Sequence, residues 1–132
     1  MNKNMELSLN EYQQKAMTTC MESSNNFSYM FLNLVGEVGE FASKVAKHIR
    51  KENACIGGAE NNLMPKCEFS EWEKHELELM KEAGDILWQL SGVCSVMGWS
   101  LQDIAQMNLD KLAARKAAGT IDGNGDGICR EK

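Results

Sequence analysis

The sequence predicts an all-α, four-helix-bundle-like domain, and three observations support this fold class. Apolar residues recur every three or four positions along most of the 132 residues, and no long stretch alternates apolar with polar residues. The chain contains one proline, Pro65, so little interrupts long helices. Capping signals separate four periodic segments. Because this length suffices for one core and is short for two, we expect a single domain over residues 1–132.

Polar residues bound the first two predicted helices. Ser8 and Asn10 are both suitable N-caps for helix one, which is expected to end at about Met21. Residues 23–26 have the composition of a turn, and helix two is expected over residues 27–51. Its predicted core stripe comprises Phe27, Met30, Phe31, Leu34, Val38, Phe41, Val45 and Ile49.

Residues 53–69 are predicted to be a long loop insertion, since they contain paired glycines, paired asparagines and the proline. Ser70 and Glu73 form a capping box that is expected to begin helix three, which runs to about Met97. The predicted core stripe of helix three comprises Leu79, Ala83, Ile86, Leu90, Val93 and Met97.

Helix four has capping signals at both ends. Ser100 and Asp103 resemble an N-terminal cap, and Gly119 is the expected residue just beyond the C-terminal end near Ala118. Residues 119–132 are expected to form an irregular glycine-rich tail.

Composition and charge exclude several classes of function. A net charge of −5 and a pI of about 5.1 disfavour nucleic-acid binding, which depends on clustered Lys and Arg. The first residues lack the apolar segment of a signal peptide, and no apolar stretch is long enough to cross a bilayer. Five cysteines with no C-x-x-C pair indicate reduced thiols. We therefore expect a cytoplasmic protein without nucleic-acid or membrane partners, and one that oligomerises to bury an apolar helix face.

Four residues with zinc-ligating side chains do not form a recognisable zinc motif. Cys55, Cys67, His48 and His75 all carry zinc-ligating groups, but their spacing matches no common zinc motif. The sequence alone therefore predicts no zinc site.

Two pairs of carboxylates are the candidate metal ligands. Glu37 and Glu40, and then Glu82 and Asp85, are each three residues apart, so each pair shares one helix face with Cβ atoms about 5–6 Å apart. Such pairs repel unless a cation intervenes, and oxygen ligands suit Mg²⁺ or Mn²⁺. Both pairs lie about 90–110° from the centre of their apolar stripe. If the two helices are antiparallel, the pairs border one groove beside the core, where Glu78 is a further carboxylate.

These pairs also carry a family resemblance. Residues 36–40 read Gly-Glu-Val-Gly-Glu and residues 82–88 read Glu-Ala-Gly-Asp-Ile-Leu-Trp. This resembles the MazG-type all-α nucleotide pyrophosphohydrolases, in the phage-like single-domain subgroup. Residues 10–19, residues 108–115 (Asn-x-x-Lys-Leu-x-x-Arg) and the tail are also similar. Three features depart from the pattern: the stretch between Glu40 and Glu82 is longer than usual, the segment before Glu82 is richer in acidic residues, and the tail differs in sequence.

The resemblance implies an activity and a metal. Family members convert nucleoside triphosphates to monophosphate and pyrophosphate, a role in nucleotide-pool housekeeping. Carried over, the Mg²⁺ ligands are Glu37, Glu40, Glu82 and Asp85, and Mn²⁺ can substitute. Glu40, or else Glu37, would orient or deprotonate the attacking water. The expected assembly is a homodimer or homotetramer.

The residues predicted to contact the substrate can each be interpreted in two ways. Lys111 and Arg115 share a face of helix four with Asn108, and this face either contacts the triphosphate or is a solvated basic surface. For the base, the candidates are Gln13, Thr19 and Trp88. Trp88 suits stacking on a base and equally suits packing.

The alternative to an enzyme is a non-catalytic helical module that binds nucleotide or metal. The long loop and the atypical tail motivate this alternative.

Overall fold

The computed structural model describes residues 6–121, and the elements in this range confirm the predicted all-α class. The helices are α1 (Leu9–Met17), α2 (Phe27–Arg50), α3 (Phe69–Val96) and α4 (Leu101–Ala117), with a short 3-10 turn at Glu22–Ser24. A two-stranded hairpin, β1 (Ala54–Gly57) and β2 (Asn62–Pro65), connects α2 to α3. Most of the tail, from residue 122, lies outside the described residues.

Hydroxyl side chains set the ends of α1. Ser8 is the N-cap, as predicted, and its Oγ accepts a hydrogen bond from the Glu11 backbone N–H. The helix ends at Met17 rather than near Met21. Thr18 and Thr19 donate their hydroxyl protons to the Lys15 and Ala16 carbonyls, which also accept the backbone N–H groups of the same two threonines. These local hydrogen bonds close the last turn and compete with continuation of the helix.

Helix α3 begins earlier than the predicted capping box. Its N-cap is Glu68, and the Glu68 carbonyl accepts from the backbone N–H groups of Glu71 and Trp72. Ser70 therefore lies inside the first turn, and its assignment as N-cap is wrong. Trp72 is buried, so the first turn is already packed on the core.

Helix α4 has the predicted ends. Ser100 accepts from the Asp103 N–H at the start. At the other end Gly119 has a positive φ of 70°, and the N–H groups of Gly119 and Thr120 bond to the Lys116 and Arg115 carbonyls. This is a Schellman ending, in which glycine avoids the steric cost of the left-handed conformation.

The segment predicted to be an irregular loop contains the hairpin. Ala54 pairs with Pro65 at one end of the antiparallel register, and Gly57 pairs with Asn62 at the other. Gly58 and Asn61 adopt positive φ angles of 76° and 53° in the connecting turn. The residues that indicated a loop are therefore those that allow a tight turn between short strands.

Helices α2 and α3 form the central antiparallel pair. Met30 lies over Gly92, and Lys44 contacts Glu82, so residue numbers rise along α2 as they fall along α3. At the hairpin end, Ala54, Trp72 and Leu79 form a buried cluster. The side chains packed around this cluster are Phe41, Val45, Leu63 and Cys67.

The interface between α2 and α3 is rotated from the predicted stripes. Phe27, Phe31, Val38 and Ile49 of α2 are exposed, whereas Glu37 and Lys44 are half-buried. In α3, Ala83, Leu90 and Met97 are exposed and Glu82 is buried. Glu82 therefore lies between α2 and α3, where it contacts Lys44. The apolar face of α2 is wider than its contact with α3, so hydrophobicity alone did not locate the contact line.

The exposed part of α2 forms an apolar stripe of five residues. These are Phe27, Phe31, Leu32, Val35 and Val38. The rings of Phe27 and Phe31 are stacked with centroids 5.5 Å apart. Helix α4 packs chiefly against α1 and exposes Met107 and Leu109. Within residues 6–121, no helix combines the length and apolar character needed to cross a bilayer.

Candidate active site

Three carboxylates converge between α2 and α3. One oxygen from each of Glu37, Glu82 and Asp85 lies within 4.8 Å of the other two. Glu82 is buried, Glu37 is half-buried and Asp85 is exposed, so the cluster runs from the helix interface to the surface. The two helices therefore bring three of the four predicted acids together.

Glycines beside the acids leave open space. A methyl group added at Gly39 or Gly84 would meet no described atom within 4 Å. An ordinary helix crossing within the chain therefore does not account for these two glycines, although each weakens its helix by about 0.5–1 kcal/mol relative to alanine. The surface next to the acids is accessible to a ligand.

Lys44 neutralises the most buried acid. Its Nζ forms a salt bridge with Glu82 across the interface, and this hydrogen bond raises the pKa of Lys44. Helical spacing predicts that Lys44 pairs with the acids four and seven residues earlier in its own helix, Glu40 and Glu37, whereas in the structure the ion pair joins the two helices. The partly exposed stem of Lys44 places a cation at the edge of the acidic cluster.

The electrostatics of Glu37 reflect crowded negative charge. Burial raises the pKa of Glu37, and the carboxylates of Asp85, Glu82 and Glu40 raise it further, whereas Lys44 lowers it. A carboxyl group is normally ionised near neutral pH, and like charges at this spacing oppose ionisation. A divalent cation that prefers oxygen ligands would relieve this repulsion, so the three acids fit Mg²⁺ or Mn²⁺.

Glu40 lies outside the three-acid cluster. It is exposed one turn after Glu37 on α2, and it is close enough for its charge to raise the pKa of Glu37. Its assignments as a metal ligand and as the group that activates water remain predictions.

Tyr12 borders the acidic cluster from α1, and the sequence analysis did not single it out. The side chain is half-buried, and its pKa is raised by burial and then by Asp85. No local pattern marks this tyrosine, because its proximity to Asp85 arises only when α1 packs on α3.

The candidates for base recognition link α1 to α3. Gln13 donates from Nε2 to the Ser95 Oγ and the Trp99 carbonyl, both at 3.0 Å, and its Oε1 accepts from the Leu101 N–H at 2.7 Å. Trp88 donates from Nε1 to Thr19 Oγ1 at 3.0 Å and to the carbonyl of residue 16 at 3.1 Å. These bonds hold the helices together, and roles of Gln13, Thr19 and Trp88 at a base remain predictions.

The candidates for phosphate binding lie on a different helix from the acids. Asn108 and Lys111 are exposed on α4, and Arg115 is half-buried there. Helix α4 packs chiefly on α1, whereas the acidic cluster lies between α2 and α3. Contact of these three side chains with phosphate remains a prediction.

Comparison with known proteins identifies the family of the chain. The model of the MazG nucleotide pyrophosphohydrolase domain matches residues 25–119, a range that includes the four acids and helices α2 to α4. The Gene 37 protein of Mycobacterium phage L5 is 31% identical over 105 residues, which cover 80% of this chain and 79% of that protein. No solved structure matches the chain significantly. The chain belongs to the MazG nucleotide pyrophosphohydrolase family.

Proposed function

We propose that this protein hydrolyses nucleoside or deoxynucleoside triphosphates to monophosphate and pyrophosphate, as a step in nucleotide-pool housekeeping. The observation that carries the proposal is the convergence of Glu37, Glu82 and Asp85 between α2 and α3, inside the region that matches the family. An acidic site repels a triphosphate unless a metal is bound, so the activity requires a divalent cation.

The cofactor is Mg²⁺, for which Mn²⁺ can substitute. Glu37, Glu82 and Asp85 hold it, and Glu40 can join them from the next turn of α2. When bound, the metal neutralises phosphate charge and lowers the pKa of water. The buried carboxylate of Glu82 and the exposed one of Asp85 position the cation at the surface, where a nucleotide has access.

Two side chains at the edge of the cluster act on the reacting groups. Glu40 is exposed and one turn from Glu37, and it orients the attacking water or accepts its proton, a role worth about 10²–10⁴ in rate. Lys44 is partly exposed, so its ammonium group can move from Glu82 toward an incoming phosphate. A lysine at this position also offsets one of the negative charges of the site before substrate arrives.

The remaining substrate contacts come from α1, α3 and α4. Asn108, Lys111 and Arg115 bind phosphate oxygens by charge and hydrogen bonding. The base is held by a second group of residues. These are Gln13, Thr19 and Trp88.

The first test is a product assay with a panel of NTPs and dNTPs in Mg²⁺. We expect pyrophosphate and the matching monophosphate, and the preferred substrate identifies base and sugar. Glu40→Gln and Asp85→Asn should each reduce turnover by about 100-fold or more. Glu76→Gln is the matched control, because Glu76 is exposed on α3 and outside the cluster.

Other products would overturn the assignment. Orthophosphate alone would indicate a different phosphatase reaction. Nucleotide binding in Mg²⁺ or Mn²⁺ without any product would indicate the non-catalytic binding module.

We propose in addition that the exposed apolar stripe of α2 is covered by a second copy of the chain, giving a homodimer or homotetramer. Contiguous apolar surface of this kind is uncommon on a free monomer. Light scattering after size-exclusion chromatography tests this. Phe31→Asp should lower the mass to that of a monomer, whereas Ser43→Asp, at an exposed polar position of α2, should not. A monomeric wild-type protein would refute the proposal.

A further inference from the structure

A second cluster of potential metal ligands lies at the hairpin end of α2 and α3. His48 of α2 and His75 and Glu78 of α3 each place one ligand atom within 4.8 Å of the other two. The two imidazole rings have centroids 4.4 Å apart. His48 is 11 residues after Glu37, which corresponds to about 16 Å along α2, whereas Glu78 is one turn from Glu82 on α3. The two clusters are therefore neighbours on α3 but share no residue.

The Nε2 nitrogens of both imidazoles in this cluster have no hydrogen-bond partner within residues 6–121. The side chain of His48 is 3% exposed and that of His75 is 20% exposed. The Nε2 atoms of both are buried, and neither forms a hydrogen bond within the described residues. The closest carboxylate oxygen to His48 Nε2 is from Glu78, at 3.9 Å, which is too long for a hydrogen bond. The His75 Nε2 lies 3.9 Å from a carboxylate oxygen of Glu71, which is likewise too long for a hydrogen bond. Two buried nitrogens that lie near carboxylates without forming hydrogen bonds indicate a missing ligand.

We propose that His48, His75 and Glu78 bind a divalent transition metal ion, Zn²⁺, with water as the fourth ligand. Two imidazoles and one carboxylate are a ligand set that zinc accepts, whereas Mg²⁺ prefers oxygen ligands alone. The two clusters on one helix pair are thereby selective for different metals. The spacing of these residues in the sequence matched no zinc motif because the ligands come from two helices that meet only on folding.

The geometry requires only small movements. Ligand atoms in a tetrahedral zinc site are about 3.3 Å apart, so separations of up to 4.8 Å must close by about 1.5 Å at most. His75 and Glu78 are three residues apart on one face of α3, opposite His48. The Glu78 side chain is 52% exposed, so it can rotate to the metal and leaves a route from solvent.

The surroundings of His48 suit a metal ligand. The Asn53 amide lies 3.4 Å from His48 Nδ1, and rotating the amide by 180° would place its oxygen to accept the Nδ1 proton. Such an outer partner fixes the ring and frees Nε2 for the metal. Trp72 contacts both imidazoles edge to face, with centroids 6.4 Å away, and shields the cluster.

The bound ion would fasten the C-terminal end of α2 to α3. Asn53, which lies against His48, immediately precedes strand β1, so the bound ion would also stabilise the position of the hairpin. The inference does not depend on the proposed hydrolysis, because the residues of this cluster are not among those assigned to the acidic site.

The test is zinc binding by the full-length protein after removal of metals with EDTA. Equilibrium dialysis against Zn²⁺, in excess Mg²⁺ to occupy the acidic cluster, should give one Zn²⁺ per chain. Co²⁺ as a probe should give the visible absorption of a four-coordinate site. His75→Gln and Glu78→Gln should each weaken Zn²⁺ binding at least tenfold, and Glu76→Gln should not change it.

Thermal unfolding provides the second readout. Zn²⁺ should raise the midpoint of the wild type and of Asp85→Asn, but not that of His75→Gln. Absence of Zn²⁺ binding to the wild type would overturn the proposal. So would binding that survives His75→Gln and Glu78→Gln unchanged, or binding lost in Asp85→Asn, which would assign the ion to the acidic cluster.

Discussion

Replacing Gly92 with alanine tests whether the α2–α3 contact positions the site. A methyl group at residue 92 would lie 2.3 Å from the Met30 Sδ, 2.8 Å from its Cε and 3.1 Å from its Cγ. Ordinary contacts of a Cβ begin near 3.4 Å, so the sulfur must move by more than an ångström. Met30 is 0% exposed, so it can move only by displacing its neighbours or by separating the helices.

The expected cost follows from this overlap. Overpacking a core costs about 1–3 kcal/mol, and the flexibility of methionine favours the middle of that range, about 2 kcal/mol. For a chain of this length each kcal/mol lowers the unfolding midpoint by about 3–5 °C, so Gly92→Ala should lower it by about 6–10 °C. Gly92 is seven residues, or about two turns, from Asp85. A shift of α3 there should also reduce turnover, since displacing catalytic groups by about 1 Å can cost about 100-fold.

Thermal and urea unfolding would measure the effect, with Gly39→Ala as the control. A methyl at Gly39 meets no described atom, so this variant should be more stable than the wild type by about 0.5–1 kcal/mol. Met30→Ala alone should cost about 2–5 kcal/mol by leaving a cavity. In the double variant the new methyl occupies part of that cavity. The loss of stability in the double variant should therefore be smaller than the sum of the two single losses by about 1 kcal/mol or more.

Two results would refute this reasoning. Gly92→Ala could be as stable as Gly39→Ala, or the double variant could be additive. Either result would mean that Met30 does not lie over Gly92.

Three further predictions concern charge, thiol reactivity and α1. In EDTA, Glu37→Gln should be more stable than the wild type above pH 4.5, the pKa of an unperturbed Glu. Because the pKa of Glu37 is raised in the folded state, Glu37 contributes stability below that pH, and this contribution is lost as the pH rises through the folded-state pKa. Calorimetry that gave the same pH dependence of the free energy of unfolding for both proteins would contradict this. Cys94 is 1% exposed and burial raises its pKa, so mass spectrometry after iodoacetamide should show it modified far more slowly than half-buried Cys20. Gln13→Ala removes three hydrogen bonds between α1 and the α3–α4 region and should cost about 2 kcal/mol in urea unfolding; an unchanged midpoint would show that these bonds contribute nothing.

The sequence by itself determined the local features of this protein. The extent of α2, the caps at Ser8 and Ser100 and the glycine ending of α4 follow from interactions within a few residues. The spacing of Glu82 and Asp85 also placed both on one helix face. The family could therefore be inferred from short segments.

Only the tertiary structure decided which faces meet. It placed Glu82 inside the interface with Lys44, brought His48 beside His75, and paired two strands where a loop was predicted. Helix periodicity shows that a face is apolar but does not show where along a broad face the neighbouring helix lies. Contacts between distant residues depend on how helices rotate and pack against one another, which no local spacing contains.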